Sequence, residues 1–223
     1  MSYFYYDGPN APMEPHVHKI FPSCLFEFPC FVDNQDDIIS DLRSRWDTRE
    51  IIPELAHMNF YTEDTLDKHP LYSKLCAKLL VAVRSVWKCY GYTDIDPYIV
   101  CMWANSLGKN ASIQLHSHSN SFFSGVWYPD DVEIDHTDNG GCLKFVDPVK
   151  RHFVMPKVSA SNELNLGEVI VRPKKGTLLI FPSWLEHGTI PNRNITDPRF
   201  SVSFNFWMKG ELGNDHSLNR LNF

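Results

Sequence analysis

Nowhere in these 223 residues does an apolar run approach the roughly 18 residues that a membrane helix requires, so no helical membrane span is expected. An excess of positive charge is missing too. Lys and Arg number 21 against 27 Asp and Glu, a net charge of -6, which gives no general electrostatic attraction to nucleic acid or anionic lipid but leaves room for a local basic pocket. Paired cysteines are lacking: Cys24, Cys30, Cys76, Cys89, Cys101 and Cys142 are scattered, form no C-x-x-C and follow no secretory apolar segment. They read as reduced thiols in a cytosolic compartment. Glycine is sparse at 11 residues, and no internal repeat or low-complexity tract occurs, which argues against disorder and fibrous folds. The opening MSYFYYDGPNAPMEP is polar and aromatic and does not resemble a targeting segment.

Aromatic residues, by contrast, are plentiful: 15 Phe, 9 Tyr and 6 Trp favour strands and a well-filled interior, and the length suits one domain. FPSCLFEFPCFV, from Phe21 to Val32, predicts an extended entry strand, because its prolines forbid a helix. Asp33 or Asn34 can cap a helix carrying Ile38, Ile39, Leu42 and Trp46 on one face. A second helix is expected from Pro70 to Tyr90, with Leu71, Leu75, Leu79, Val83, Val86 and Trp87 as its apolar stripe and Gly91 as its stop. After Gly91 seven strand-like runs follow: YIVCMWAN, SIQLH, FFSGVWY, CLKFV, GEVIV, TLLIF and RFSVSFNFW. The expected fold is α+β, mainly β: a jelly roll or sandwich with two supporting helices from the N-terminal part. A single domain would then comprise an arm, entry strand and helices over 1–95, a β core over 96–208 and a tail over 209–223. The polar stretch from Pro129 to Gly141 reads as a lid or a solvated loop.

Chemistry concentrates in three histidines and one arginine. His116 and His118, two apart on the expected strand SIQLHSHS, project from the same face, and His187 follows the strand TLLIF, where a neighbouring strand can bring it beside the pair. Three facing ligands with open positions suit an iron ion that must bind a bidentate cosubstrate and oxygen. Arg199 and Ser201 share a strand face and can together grip a carboxylate, for which the guanidinium fork is better suited than an ammonium.

The succession H-x-H, SGVWYPDD, GGCLKFVDP, KKGTLLIFPSWLEHGTIPN and RFSVSFNFW, spanning roughly Tyr98 to Trp207, resembles the 2-oxoglutarate/Fe(II) oxygenase superfamily. The likeness is closest to its small prolyl-hydroxylase-like members of bacteria and phages. The resemblance implies a double-stranded β-helix, ferrous iron, 2-oxoglutarate as cosubstrate and O2. It implies His116 and His187 as metal ligands, with Arg199 and Ser201 on the far carboxylate of 2-oxoglutarate; His118 is taken as the third ligand from its spacing to His116. Tyr128 matches a tyrosine that often reaches that same carboxylate, and Asn205 is a further pocket candidate on the Arg199 strand. The implied activity is hydroxylation of a peptidyl, amino-acid or other small substrate with release of succinate and CO2, in the cytoplasm or, for a phage protein, the host cytoplasm. The aromatic N-terminal arm is long enough to reach a neighbouring subunit, which leaves a homodimer open.

One position departs from the common pattern. Most superfamily members place Asp or Glu two residues after the first histidine, where this chain has His118, and a neutral imidazole leaves the site one unit more positive. His136 and Asp138 form an H-x-D that offers an alternative ligand pair, but in a hydrophilic loop that leaves no room for the SGVWY strand. His16 and His18 lack a third partner and read as solvent-exposed. Two other functions compete: a cupin-like three-histidine metalloenzyme that does not use 2-oxoglutarate, and a non-catalytic β-sandwich whose histidines are structural. Only the oxygenase uses Arg199 and His187 together.

Overall fold

The computed structural model describes residues 22–29, 35–50, 59–92, 96–131, 139–149, 157–191, 193, 197–213 and 221–222. Within the described part of the expected entry strand, 22–29, only Phe26–Phe28 forms a strand, β1; Phe21 and residues 30–32 lie outside the described residues. Helix α1 runs over Gln35–Thr48, with Asp36 and Asp37 in its first turn and Arg45 in its last, charges that complement the helix dipole. The second helix begins as a 3-10 turn, Pro70–Tyr72, and becomes α2 over Ser73–Cys89. Proline is tolerated there because its missing N–H would have had no partner in a first turn. A two-residue strand, β2 (Phe60–Tyr61), precedes it.

The β core comprises β3 (Asp96–Leu107), β4 (Phe123–Trp127), β5 (Leu143–Val146), β6 (Glu168–Val171), β7 (Leu178–Pro182), β8 (His187–Thr189) and β9 (Arg199–Lys209). A further hairpin pairs β10 (Glu211–Leu212) with β11 (Leu221–Asn222). The large sheet has the order β1-β7-β4-β9-β3-β2 and the small one β6-β5-β8. His116 extends the small sheet by an antiparallel bridge to His187. From β3 onward the chain therefore alternates between sheets, large, small, large, small, and back, which is a double-stranded β-helix. Segment 112–118 is not the regular strand that the sequence suggests. It carries only that bridge, and its irregular path is held to β8 through single hydrogen bonds.

Side-chain parity along β9 divides the interior. Phe200, Val202, Phe204 and Phe206 face the helices, joining Ile38, Leu42, Leu75, Leu79, Val83 and Val86 in one core cluster. Arg199, Ser201 and Ser203 face the other way, into the space between the sheets, where Val126, Tyr128, Leu143, Phe145, Leu179 and Phe181 form a second core. The period of two in RFSVSFNF thus puts oil on one face and polar groups on the other.

Gly125, central in β4, is fixed by this packing: a Cβ there would stand 2.3 Å from Cε2 of Phe204 and 2.6 Å from the Leu179 carbonyl oxygen. Gly125→Ala is expected to cost about 1–3 kcal/mol or more, as overpacking does. A lower urea midpoint at unchanged slope would show it; an unchanged midpoint would mean that the β4–β9 contact is looser than described.

Candidate active site

Hydrogen bonding across the small sheet aligns the three histidines. The backbones of His116 and His187 exchange both N–H···O bonds at 2.9 Å, and the His118 N–H donates to the Ser183 carbonyl at 2.9 Å. Their ring centroids lie 4.9 Å (His116–His118), 4.5 Å (His116–His187) and 5.2 Å (His118–His187) apart. One ligand atom from each falls within 4.8 Å of the others, a spacing at which a single metal ion can be shared. Nδ1 of His116 donates to the Gln114 carbonyl (2.8 Å) and Nδ1 of His187 to the Leu185 carbonyl (2.9 Å). A carbonyl can only accept, so both protons are on Nδ1 and both Nε2 lone pairs are free for a metal. Burial, followed by the neighbouring His116, pushes His118 down to about 4. Burial also pushes His187 down to about 4, against the opposing hydrogen bond to Leu185. At neutral pH these two rings are neutral donors, which a metal ligand must be.

Gly188 makes this alignment sterically feasible. A Cβ on it would lie 2.8 Å from the Ile113 carbonyl oxygen and 3.1 Å from the backbone at Gln114 and Leu115. Only glycine lets the segment that carries His116 lie this close to β8.

The histidines open onto a cavity of about 530 Å3 whose wall also includes Tyr128, Arg199 and Ser201. Arg199 is only 4% exposed, yet no carboxylate among the described residues pairs with it. Its guanidinium donates to the Gly141 carbonyl and lies 5.4 Å from the centroid of the Tyr128 ring. Burial lowers the pKa of Arg199 and raises that of Tyr128. Arg199 Nε, Tyr128 OH and Ser201 Oγ are all buried without a hydrogen-bond partner among the described residues. Such groups carry a desolvation cost of about 1–3 kcal/mol each, and three around one cationic centre describe a receptor for an anion with several acceptor oxygens.

Of the residues singled out in the sequence, the cavity gathers His116, His118, His187, Tyr128, Arg199 and Ser201. Asn205 is on the same face of β9 but is not part of the cavity wall. It accepts from Ser124 Oγ at 2.7 Å and donates to Cys101 Sγ at 3.3 Å, a buried polar link that also includes Ser183. His136, Asp138, His16 and His18 lie outside the described residues. The sequence reading did not single out Asn59, Tyr61, Trp103 or Asn105, all of which line the cavity. Strand alternation in YIVCMWAN pairs Trp103 with Asn105 and could have pointed to those two; nothing comparable marks Asn59.

Fold and site together define a double-stranded β-helix protein with a three-histidine group able to hold a metal beside a buried anion pocket. Residues 101–205 match the family model described as "putative 2OG-Fe(II) oxygenase". That match covers a little under half of the chain, the part that holds β4 to β8, most of β3 and β9, and the three histidines. Among solved structures, it is similar to HygX from Streptomyces hygroscopicus, solved with nickel and 2-oxoglutarate bound (14% identity, 82% of each chain covered, TM-score 0.57). It is also similar to SnoN, a non-haem α-ketoglutarate-dependent epimerase from nogalamycin biosynthesis (12% identity, 88% of this chain and 81% of that one, TM-score 0.60). A Pseudomonas putida prolyl-4-hydroxylase shares 14% identity over 83% of this chain and 92% of its own, with a TM-score of 0.54. No curated protein matches the chain. Among the described residues no helix is long and apolar enough to cross a membrane.

Proposed function

We propose that this chain is an Fe(II)- and 2-oxoglutarate-dependent dioxygenase acting on a small-molecule or peptidyl substrate, with His116, His118 and His187 as the iron ligands. The observation that carries the reading is the buried Arg199, which pairs with no carboxylate among the described residues, with Tyr128 OH and Ser201 Oγ likewise unpartnered there, in the same cavity as the histidines. These residues fit the implied groups. Three imidazoles suit a ferrous ion, and Arg199, Ser201 and Tyr128 supply the charge and donors that the far carboxylate of 2-oxoglutarate requires. Bound iron, 2-oxoglutarate and O2 would together supply the oxidation, with one oxygen atom going to succinate and the other to the substrate.

The protein's own part is to orient and to enclose. Nδ1 hydrogen bonds from His116 and His187 fix the ring tautomers, and Leu143, Val126 and Phe181 give the cavity an apolar wall that limits water. HygX has been solved with hygromycin B bound, which supports the small-molecule alternative.

The test is an anaerobic titration of the metal-free protein with ferrous iron and then 2-oxoglutarate. A visible charge-transfer band on adding 2-oxoglutarate is the expected result. Stoichiometric iron without that band would mean a three-histidine metalloenzyme that uses another cosubstrate, and no stoichiometric iron would mean a binding protein.

A further inference from the structure

On the β2 side of β3, across that strand from β9, the cavity wall contains a second unmet demand. Strand β2 pairs with the edge of β3, Phe60 opposite Ser106 and Tyr61 opposite Asn105, and brings Asn59 and Tyr61 to the cavity wall beside Trp103. Nδ2 of Asn59 donates to the Ser112 carbonyl at 2.7 Å and to Tyr61 OH at 3.0 Å. Because the Ser112 carbonyl can only accept, the amide cannot be flipped, and Oδ1 is its free end. That Oδ1 is buried and has no donor among the described residues. Neighbouring donors are already used: Trp103 Nε1 donates to Asn105 Oδ1 at 3.0 Å, and Asn105 Nδ2 to Ser203 Oγ at 2.8 Å. Trp103 also lies 5.8 Å, ring to ring, from His118, so this wall adjoins the metal group. No Asp or Glu lines the cavity among the described residues, so an ammonium ion would find no counter-charge there.

We propose that Asn59, Tyr61 and Trp103 form the primary-substrate subsite, which selects an uncharged hydrogen-bond donor, a hydroxyl or an amide N–H, on a flat or apolar body. Asn59 Oδ1 accepts that hydrogen bond, and the Trp103 and Tyr61 rings pack on the body. A satisfied buried acceptor discriminates strongly against analogues that lack the donor, since they leave it unpaired. The inference rests on the oxygenase reading, because the subsite is only useful if its occupant faces the bound iron.

The test uses four probes of one shape: benzyl alcohol, benzamide, toluene and benzylamine. Each is titrated anaerobically into the full chain loaded with Fe(II) and 2-oxoglutarate, and its affinity is read from the perturbation of the charge-transfer band. Benzyl alcohol or benzamide should bind about tenfold tighter than toluene and benzylamine, and which of the two leads tells a hydroxyl substrate from an amide one. Asn59→Leu should abolish the preference and keep the band. Equal binding of all four probes, unchanged discrimination in Asn59→Leu, or loss of the band in that variant would each overturn the proposal, the last by making Asn59 a structural residue. Absence of the band in the unsubstituted protein would instead overturn the oxygenase reading, and the subsite with it.

Discussion

Arg199→Met is expected to leave the metal-free protein at least as stable as the parent while sharply reducing the further rise in melting temperature that 2-oxoglutarate adds to the iron-loaded protein. Two costs oppose each other. Methionine orphans the Gly141 carbonyl, a loss of about 1–3 kcal/mol. It also relieves the burial of a cation that no acidic residue among the described ones balances, a penalty of several kcal/mol per ion. The second is larger, so the side chain that looks most embedded in the interior contributes nothing to holding it together. Its value returns only with an anionic ligand. Removing one partner of a buried charge pair costs about 2–5 kcal/mol, so the affinity for 2-oxoglutarate should fall roughly thirtyfold or more. Differential scanning calorimetry with and without the ligand reads both effects. A variant that melts lower alone and still gains from 2-oxoglutarate would mean that Arg199 is a structural residue.

His187→Ala should weaken ferrous binding by more than the about 10–100-fold that loss of an outer-shell partner brings, because under the proposed ligand set it removes a ligand and not a support. Its backbone pairing with His116 needs no imidazole, so secondary structure by circular dichroism should survive. Gly188→Ala makes the informative comparison. It keeps all three rings but forces the His116 segment away from β8, and its effect should fall within the outer-shell range. Anaerobic competition with a chromophoric chelator measures both constants. Equal, small losses in the two variants would remove His187 from the ligand set.

How much of this was legible beforehand follows from which interactions are local. Alternation in RFSVSFNFW gave the face of Arg199 and Ser201 correctly, since the pleat imposes it whatever the neighbours. The stripe Leu75, Leu79, Val83 and Val86 is likewise local, and all four residues are buried. What stayed hidden depends on pairing across the chain. His116 and His118 were expected on a regular strand, yet segment 112–118 is aligned by bonds to His187, Ser183 and Thr189, some 65 to 76 residues away, and periodicity carries no trace of them. Strands of two or three residues, such as β2 and β8, are too short to show a period at all. Asn205 was placed by parity alone, which predicts a face but not how far along that face the cavity extends.

Parity along β9 also bears on how such an enzyme can change. Residues 200, 202, 204 and 206 answer to the helices, while 199, 201 and 203 answer to the cavity. Mutational drift at one set is therefore nearly invisible to the other. A lineage could exchange its cavity-facing side chains one at a time without drawing on the core that keeps the protein folded, and could repack that core without disturbing the cavity.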